Sequence, residues 1–154
     1  MKVLVLYHTK TGHTLEAVTA VAEGIRAAGS EADLVEAKGF DAAQLTNYGA
    51  LIVGSPSWWG SVAAGIATPI RKALDWLGSD ALRGKQCAAI SVCSFAGAPG
   101  TVTAIGAILA AKGCSEFKPG PTARAGVPLS LVKGPSASAQ AVERFKSFGT
   151  EFVS

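Results

Sequence analysis

The sequence predicts an α/β fold: a doubly wound, five-stranded parallel sheet with helices on both faces. Apolar segments of strand length alternate along the chain with segments whose apolar residues recur at helical spacing. This βαβ alternation requires a parallel sheet. The third and fourth strands are nearly continuous apolar runs, which is typical of central strands covered on both faces. The predicted strands are Lys2 to Tyr7, Ala32 to Glu36, Ala50 to Gly54, Gln86 to Cys93 and Glu116 to Ala123.

Amphipathic segments predict four helices between and after these strands, because their apolar residues lie three or four positions apart. The second helix is expected to begin with a Thr68 cap and Pro69 in its first turn, and Ser136 is expected to cap the last. A short helix is also predicted from Asp41 to Thr46. The apolar positions are Leu15, Val18, Ala22 and Ile25 before a stop at Gly29; Ile66, Ile70, Leu74 and Leu77; Val102, Ile105 and Leu109 before a stop at Gly113; and Val142, Phe145, Phe148 and Phe152.

Size and composition favour one folded domain. A chain of 154 residues and 15.6 kDa has the usual length of a single domain, here residues 1–154. With 49% hydrophobic and 16% charged residues, it can form a substantial core, which excludes global disorder. No apolar stretch approaches the roughly 20 residues of a membrane span, and the first residues lead into a strand rather than a secretory signal. We therefore expect a cytoplasmic protein with no membrane insertion.

Charge and cysteine content exclude two further classes. The 14 basic and 11 acidic residues give a net charge of +3, but the basic residues are scattered rather than clustered as in nucleic-acid-binding proteins. The three cysteines, Cys87, Cys93 and Cys114, are odd in number and form no CxxC pair. We expect reduced thiols, no zinc site and no nucleic-acid partner.

The position of a ligand site follows from the predicted topology. In a doubly wound sheet, ligands bind at the carboxyl ends of the strands that flank the switch in strand order. The loops to consider therefore follow strands one, three and four, and they are His8 to Thr14, Ser55 to Ser61 and Ser94 to Thr101.

The first of these loops has the character of an anion site. A strand-to-helix junction presents free backbone N–H groups and a partial positive charge, and the hydroxyls of Thr9, Thr11 and Thr14 add donors. The loop matches neither GxGxxG nor GxxxxGKS/T, so the predicted ligand is a small phosphate monoester held by neutral donors. The alternative is that these hydroxyls only cap the helix. His8 is expected to complete the strand.

Residues 9–14, Thr-Lys-Thr-Gly-His-Thr, resemble the Ser/Thr-x-Thr-Gly-x-Thr phosphate loop of the flavodoxin family, in its usual place after the first strand. The resemblance implies a flavodoxin-like fold with strand order 2-1-3-4-5 and bound FMN. It assigns the terminal phosphate of FMN to Thr9, Thr11, Gly12 and Thr14. Lys10 and His13 occupy the variable positions of the loop.

The second loop carries two adjacent tryptophans, Trp58 and Trp59, at a strand end where a ring ligand would lie. Flat aromatic side chains stack well on a flavin; the alternative is that the indoles pack in the core, although neighbours on an extended chain point opposite ways. Residues 54–60, which include Pro56 and Ser57, resemble both the flavodoxin loop beside the isoalloxazine ring and the corresponding loop of WrbA-like quinone reductases. The first resemblance favours Trp58 as the stacking residue and the second favours Trp59.

The third loop is built from small residues that allow the backbone to approach a ligand closely. Cys93, Ser94, Phe95, Ala96, Gly97 and Gly100 are its candidate cofactor-binding residues. Its backbone donors are expected near the flavin pyrimidine ring, and Phe95 is a candidate second aromatic wall, where flavodoxins often have Tyr or Trp. The alternative is a plain Gly/Ala turn that opens the next helix. Cys93 is interpreted as a buried strand cysteine rather than a reactive thiol.

The resemblance covers the whole chain and is to short-chain flavodoxins, because the fifth strand lacks a long insertion. It implies a non-enzymatic carrier of single electrons between redox proteins. A small NAD(P)H-dependent quinone or flavin reductase of WrbA-like type is the alternative, suggested by Ser57 to Ser61 and Leu82 to Lys85. A flavin-free signalling module of similar fold is a third, but its phosphoacceptor form needs carboxylates that the first loop lacks.

The charge pattern departs from that of acidic flavodoxins. Residues 55–61 and 94–101 contain no Asp or Glu, and the chain is net positive. Because a nearby like charge disfavours an anionic state, we expect the fully reduced flavin to form at a less negative potential than in acidic relatives. Partners with acidic faces, such as ferredoxin-like or iron–sulfur proteins, are expected.

Gly60 yields a prediction from the resemblance. In flavodoxins the peptide bond before such a glycine flips when flavin N5 is protonated. The absence of a Cβ lowers the energy of this flip. The matching peptide joins Trp59 to Gly60. Replacing Gly60 with Ala or Val should reduce the maximum amount of one-electron-reduced flavin in an anaerobic spectral titration; an unchanged amount contradicts the assignment.

Overall fold

A computed structural model gives the architecture and describes residues 1–9, 13–57, 66–93, 98–124 and 141–154. Five parallel strands form one sheet in the order β2-β1-β3-β4-β5, which confirms the predicted topology. The strands are β1 Lys2–Tyr7, β2 Glu31–Glu36, β3 Ala50–Ser57, β4 Gln86–Cys93 and β5 Glu116–Arg124. The helices are α1 His13–Ala27, α2 Thr68–Asp75, α3 Ala98–Ala111 and α4 at residues 141–152, with a 3₁₀ helix at Ala42–Asn47.

The alternation of side chains along the strands creates a hydrophobic core on each face of the sheet. On β1, Val3 and Val5 enter the core formed with α1 and α4. Leu4 and Leu6 enter the opposite core, formed with α2, α3 and the 3₁₀ helix. All four side chains are at most 1% exposed, so β1 is a central strand buried on both sides.

The strand β3 extends three residues beyond the predicted end at Gly54. Pairing with β1 ends at Gly54, whereas pairing with β4 continues to Ser57. Pro56 lacks a backbone N–H and interrupts the expected strand pattern. It is accommodated here because β1 no longer pairs with β3 at that position.

The strand β5 carries a bulge and two prolines. Its pairing with β4 shifts between Ala89 and Ser91, so that Gly120 and Pro121 together lie opposite the single residue Ile90. Prolines are tolerated at such bulges and on edge strands, where a missing N–H costs no ladder hydrogen bond. The prolines also limit pairing with another chain at this edge.

Three details of the predicted helices are corrected. The N-cap of α2 is Ala67 rather than Thr68, and it makes no side-chain capping hydrogen bond. Leu15 belongs to the apolar pattern of α1, but it is 38% exposed, because it lies at the rim of the buried stripe. The segment after Asp41 forms a 3₁₀ helix, whose first turn is capped by the Asp41 carboxylate, 2.9 Å from the Ala43 N–H.

The predicted stops of two helices are confirmed. The stops after α1 and α3 are Gly29 and Gly113, whose φ angles of 92° and 95° are the left-handed values that favour glycine at a helix end. The predicted cap Ser136 lies outside the described residues. None of the helices in the described part of the chain is long and apolar enough to cross a membrane.

The thiols of Cys87 and Cys114 are free. Burial raises the pKa of the Cys87 thiol, and the neighbouring Cys114 side chain raises it further. This thiol therefore stays protonated near neutral pH, which keeps it unreactive. The described residues contain no cluster of His, Cys, Asp and Glu suited to a metal ion.

The helices α1 and α4 pack closely through two glycines. A Cβ atom on Gly24 would overlap the carbonyl oxygen of Lys146, and one on Gly149 would overlap that of Val21. The Thr150 hydroxyl adds a hydrogen bond of 3.1 Å to the Gly24 carbonyl oxygen. This contact holds the C-terminal helix against the core formed with α1.

Gly149→Ala should therefore destabilise the fold, by about 1–3 kcal/mol for overpacking, although Ala is the better helix former. The measurement is the free energy of unfolding from denaturant titration. Gly78→Ala is the matched control, because a Cβ there meets open space, and its effect should stay within about 0.5 kcal/mol. Equal effects of the two substitutions contradict the close contact.

Candidate functional site

The three loops singled out by the sequence leave the sheet at the same edge. Tyr7 at the end of β1 pairs with Gly54 of β3, and Ser57 at the end of β3 pairs with Cys93 at the end of β4. The strand order changes direction at β1 and β3, so a ligand is expected to bind at this carboxyl edge.

The junction of β1 and α1 supplies hydroxyls and a helix N-terminus. Thr9 is half-buried after β1 and Thr14, in the first turn of α1, is only 2% exposed. His13 is the first residue of α1 and is exposed. The other predicted phosphate-loop residues, Lys10, Thr11 and Gly12, lie outside the described residues.

The start of α1 is packed onto the end of β3. A Cβ atom on Gly54 would lie 2.5 Å from Val18 Cγ1 and 3.6 Å from Thr14 Cγ2. The absence of a side chain at Gly54 therefore allows the first turns of α1 to approach the sheet. As a result, the positive end of the helix dipole lies at the carboxyl edge, where it favours an anion.

A hydrogen bond between His8 and Glu36 lies beside this junction, and the sequence did not predict it. His8 Nδ1 lies 3.0 Å from Glu36 Oε1, and the side chain of His8 is 12% exposed. The same carboxylate oxygen accepts a hydrogen bond of 3.4 Å from the backbone N–H of Lys38. The backbone N–H of His8 donates to the Gly54 carbonyl oxygen at 3.2 Å. These contacts join the ends of β1, β2 and β3. The sequence carries no signal for this hydrogen bond. His8 comes near Glu36 only because the strand register places Tyr7, the residue before His8, opposite Glu36.

The junction after β3 contains Pro56, which is half-buried, and the backbone of Ser57, which ends the strand. Trp58, Trp59 and Gly60 lie outside the described residues. Ser55, for which the sequence predicted no specific role, is fully buried and forms hydrogen bonds with Pro56 and Ala67.

The junction after β4 is shorter than predicted. The backbone of Cys93 ends β4, and Ser94, Phe95, Ala96 and Gly97 lie outside the described residues. Helix α3 begins at Ala98, so Gly100 belongs to the first helical turn rather than to the loop. Pro99 explains this early start, since its fixed φ is favourable in a first turn. The first turn of α3 contains no acidic residue, which leaves its positive dipole end uncompensated.

Solved structures with the same fold include flavodoxins. An archaeal flavodoxin superposes with a TM-score of 0.78 at 19% identity, covering 99% of this chain and 96% of that one. Oxidised flavodoxin 1 from Bacillus cereus gives 0.73 at 20% identity, with 99% and 97% covered. Two-electron reduced flavodoxin from Megasphaera elsdenii gives 0.75 at 13% identity, with 97% and 98% covered. At these identities the likeness establishes the fold.

The sequence model of the flavodoxin family matches residues 5–151. The chain therefore belongs to the flavodoxin family, a class of flavin-binding electron-transfer proteins. None of the curated protein sequences compared with the chain matches it.

The His8–Glu36 pair is predicted to couple the two strand ends. In a double-mutant cycle of His8→Ala and Glu36→Ala, the coupling energy from denaturant unfolding should be about 1.5 kcal/mol, the lower end of the range for a hydrogen bond with a charged partner. The Lys2–Asp33 pair, also between β1 and β2, is the control: its atoms are 3.8 Å apart and both side chains are more than 40% exposed. Its coupling should be at most about 0.5 kcal/mol; equal coupling in the two cycles contradicts the prediction.

Proposed function

We propose that the protein is a flavodoxin-type carrier that shuttles single electrons between redox proteins through non-covalently bound FMN. The observation that carries the proposal is the match to the flavodoxin family over residues 5–151, combined with the position of residues 9–14. This segment has the form of the family's phosphate loop and joins β1 to α1 at the switch in strand order.

The donor chemistry at the β1–α1 junction fits the phosphate monoester of FMN. Threonine hydroxyls and the N-terminus of a 15-residue helix are neutral donors aligned with a favourable dipole. A monoester dianion needs no cationic side chain when several N–H and O–H groups surround it. In this proposal Thr9, Thr11, Gly12 and Thr14 hold the phosphate.

The other two junctions are assigned to the flavin ring. One indole from Trp58 and Trp59 provides a stacking wall, and the segment from Pro56 to Gly60 forms that side of the site. Ser94, Phe95, Ala96 and Gly97 contribute backbone donors and a second wall, between Cys93 and the first turn of α3 with Gly100. Bound FMN supplies the redox chemistry, while the protein excludes water and sets the electrostatic environment of the ring.

The redox role is supported by the neighbours in fold. One of them is described in its oxidised form and another in its two-electron reduced form, so this fold occurs in proteins of either redox state. This chain aligns with nearly the whole length of both proteins.

An anaerobic spectral titration tests the proposal. The purified protein, loaded with FMN, is mixed with excess NADPH or NADH and then reduced stepwise with dithionite. A carrier ignores the pyridine nucleotides and passes through a one-electron-reduced form. Direct bleaching by NAD(P)H favours the WrbA-like quinone or flavin reductase, and failure to retain FMN overturns both functions.

The phosphate assignment predicts a selective loss of affinity. Thr11→Val removes a hydroxyl but keeps the shape of the side chain, so FMN affinity should fall about tenfold, the equivalent of one hydrogen bond to a charged group. Riboflavin, which lacks the phosphate, should bind to the variant as to the unaltered protein. Thr19→Val is the control, because the Thr19 hydroxyl is exposed and bonds to the Leu15 carbonyl oxygen.

The net charge of +3 predicts acidic redox partners. Attraction between opposite charges is screened by salt, so the dissociation constant for an acidic ferredoxin-like protein should rise with ionic strength. Fluorescence or calorimetric titration from about 20 to 300 mM salt measures it. Tighter binding at high salt contradicts the electrostatic part of the proposal.

A further inference from the structure

We propose that Ser55 is a positioning residue that joins the two ends of residues 57–66, the tryptophan-bearing segment that leads from β3 towards α2. Its hydroxyl donates to the Pro56 carbonyl oxygen at 2.9 Å and accepts from the Ala67 N–H at 3.1 Å. One side chain thus contacts the residue before the segment and the residue after it. This inference rests on the proposed function, in which that segment borders the flavin.

Burial makes the hydrogen bond to Ala67 consequential. Ser55 and Ala67 are both 0% exposed. Ala67 is the N-cap of α2 and has extended ψ of 138°, so its own N–H precedes the hydrogen-bonded helix. A buried backbone N–H needs an acceptor, and the Ser55 hydroxyl supplies it. The start of α2 is thereby joined to the end of β3.

The backbone of Ser55 is itself held in place. Ser91, its register partner on β4, is 0% exposed, and its hydroxyl donates to the Ser55 carbonyl oxygen at 2.8 Å. The two serines are therefore buried neighbours with different roles. The Ser91 hydroxyl bonds within the sheet, whereas the Ser55 hydroxyl reaches from the sheet to the residue that begins α2.

The connection has a consequence for ligand binding. Bringing the two ends of residues 57–66 together lowers the conformational entropy of the segment. Because the hydrogen bonds of Ser55 join the two ends in the free protein, the segment loses part of its conformational entropy when the chain folds. Less of that entropy is then lost when the ligand binds. The segment includes Trp58, Trp59 and Gly60, which carry the proposed contacts with the flavin ring. Ser55 then acts on the flavin through these residues rather than by contact.

The experiment compares Ser55→Ala with Ser91→Ala, two substitutions that each remove one buried hydroxyl. Both are made in a Trp76→Phe background, because Trp76 is 80% exposed and the chain has three tryptophans. The remaining indole signal then comes from Trp58 and Trp59. The readouts are near-UV circular dichroism of the flavin-free protein, the FMN dissociation constant and the visible circular dichroism of bound flavin.

Both substitutions should lower the free energy of unfolding. Only Ser55→Ala should also change the near-UV spectrum of the two indoles, raise the FMN dissociation constant about tenfold and alter the flavin spectrum. Equal effects of both variants on these three readouts overturn the inference. If Ser55→Ala does not fold, Ser55→Cys replaces it in the test, because a thiol is a weaker acceptor than a hydroxyl. The FMN dissociation constant of Ser55→Cys should be higher than that of the parent, by less than about tenfold. An unchanged dissociation constant overturns the role of Ser55.

The outcomes separate this inference from the proposed function. If the parent protein does not bind FMN, the proposed function fails. The near-UV comparison of Ser55→Ala with Ser91→Ala still reports whether Ser55 positions the two tryptophans. If the parent binds FMN and both variants bind it equally, the proposed function stands and the role of Ser55 is wrong.

Discussion

The pairing of β1 with β3 is the interaction on which the rest of the structure depends. Their register, from Val3 opposite Ala50 to Tyr7 opposite Gly54, places two apolar strands side by side at the centre of the sheet. Alternate side chains enter opposite cores, so each face requires its own layer of helices. The same pairing is the switch in strand order, because β2 joins on one side and β4 on the other. The pairing of β1 with β3 therefore determines both the stability of the sheet and the edge at which the candidate site lies.

Residues without side chains decide how closely the helices approach this sheet. Gly54 lets the start of α1 pack against the end of β3, while Gly24 and Gly149 let α4 pack against α1. A domain interior is close-packed, so a single added methyl group at such a contact must displace neighbouring side-chain or backbone atoms. The N-terminus of α1 owes its place at the carboxyl edge to the first of these contacts, which links packing directly to the proposed phosphate site.

Polar groups at the edge are held by bonds within the protein. Glu36 joins His8 to the N–H of Lys38, and Ser55 joins the end of β3 to the N-cap of α2. Each bond lies beside a junction assigned to FMN rather than in the assigned contacts themselves. Rigid supports of this kind reduce the ordering that a ligand must impose when it binds. These hydrogen bonds therefore hold the junctions in place, whereas other residues are proposed to contact FMN.

The sequence by itself determined the type and order of the strands and helices, the strand order through the family resemblance, and the edge at which the three loops emerge. These features follow from local periodicity and from general rules of parallel topology. Tertiary structure alone decided the end of β3, the bulge in β5, the N-cap of α2 and the hydrogen-bond partners of His8 and Ser55. The physical reason is distance along the chain. The hydrogen-bonded partners are 28 residues apart for His8 and Glu36, 12 for Ser55 and Ala67 and 126 for Gly24 and Thr150, and such pairs meet only when register and helix packing bring them together.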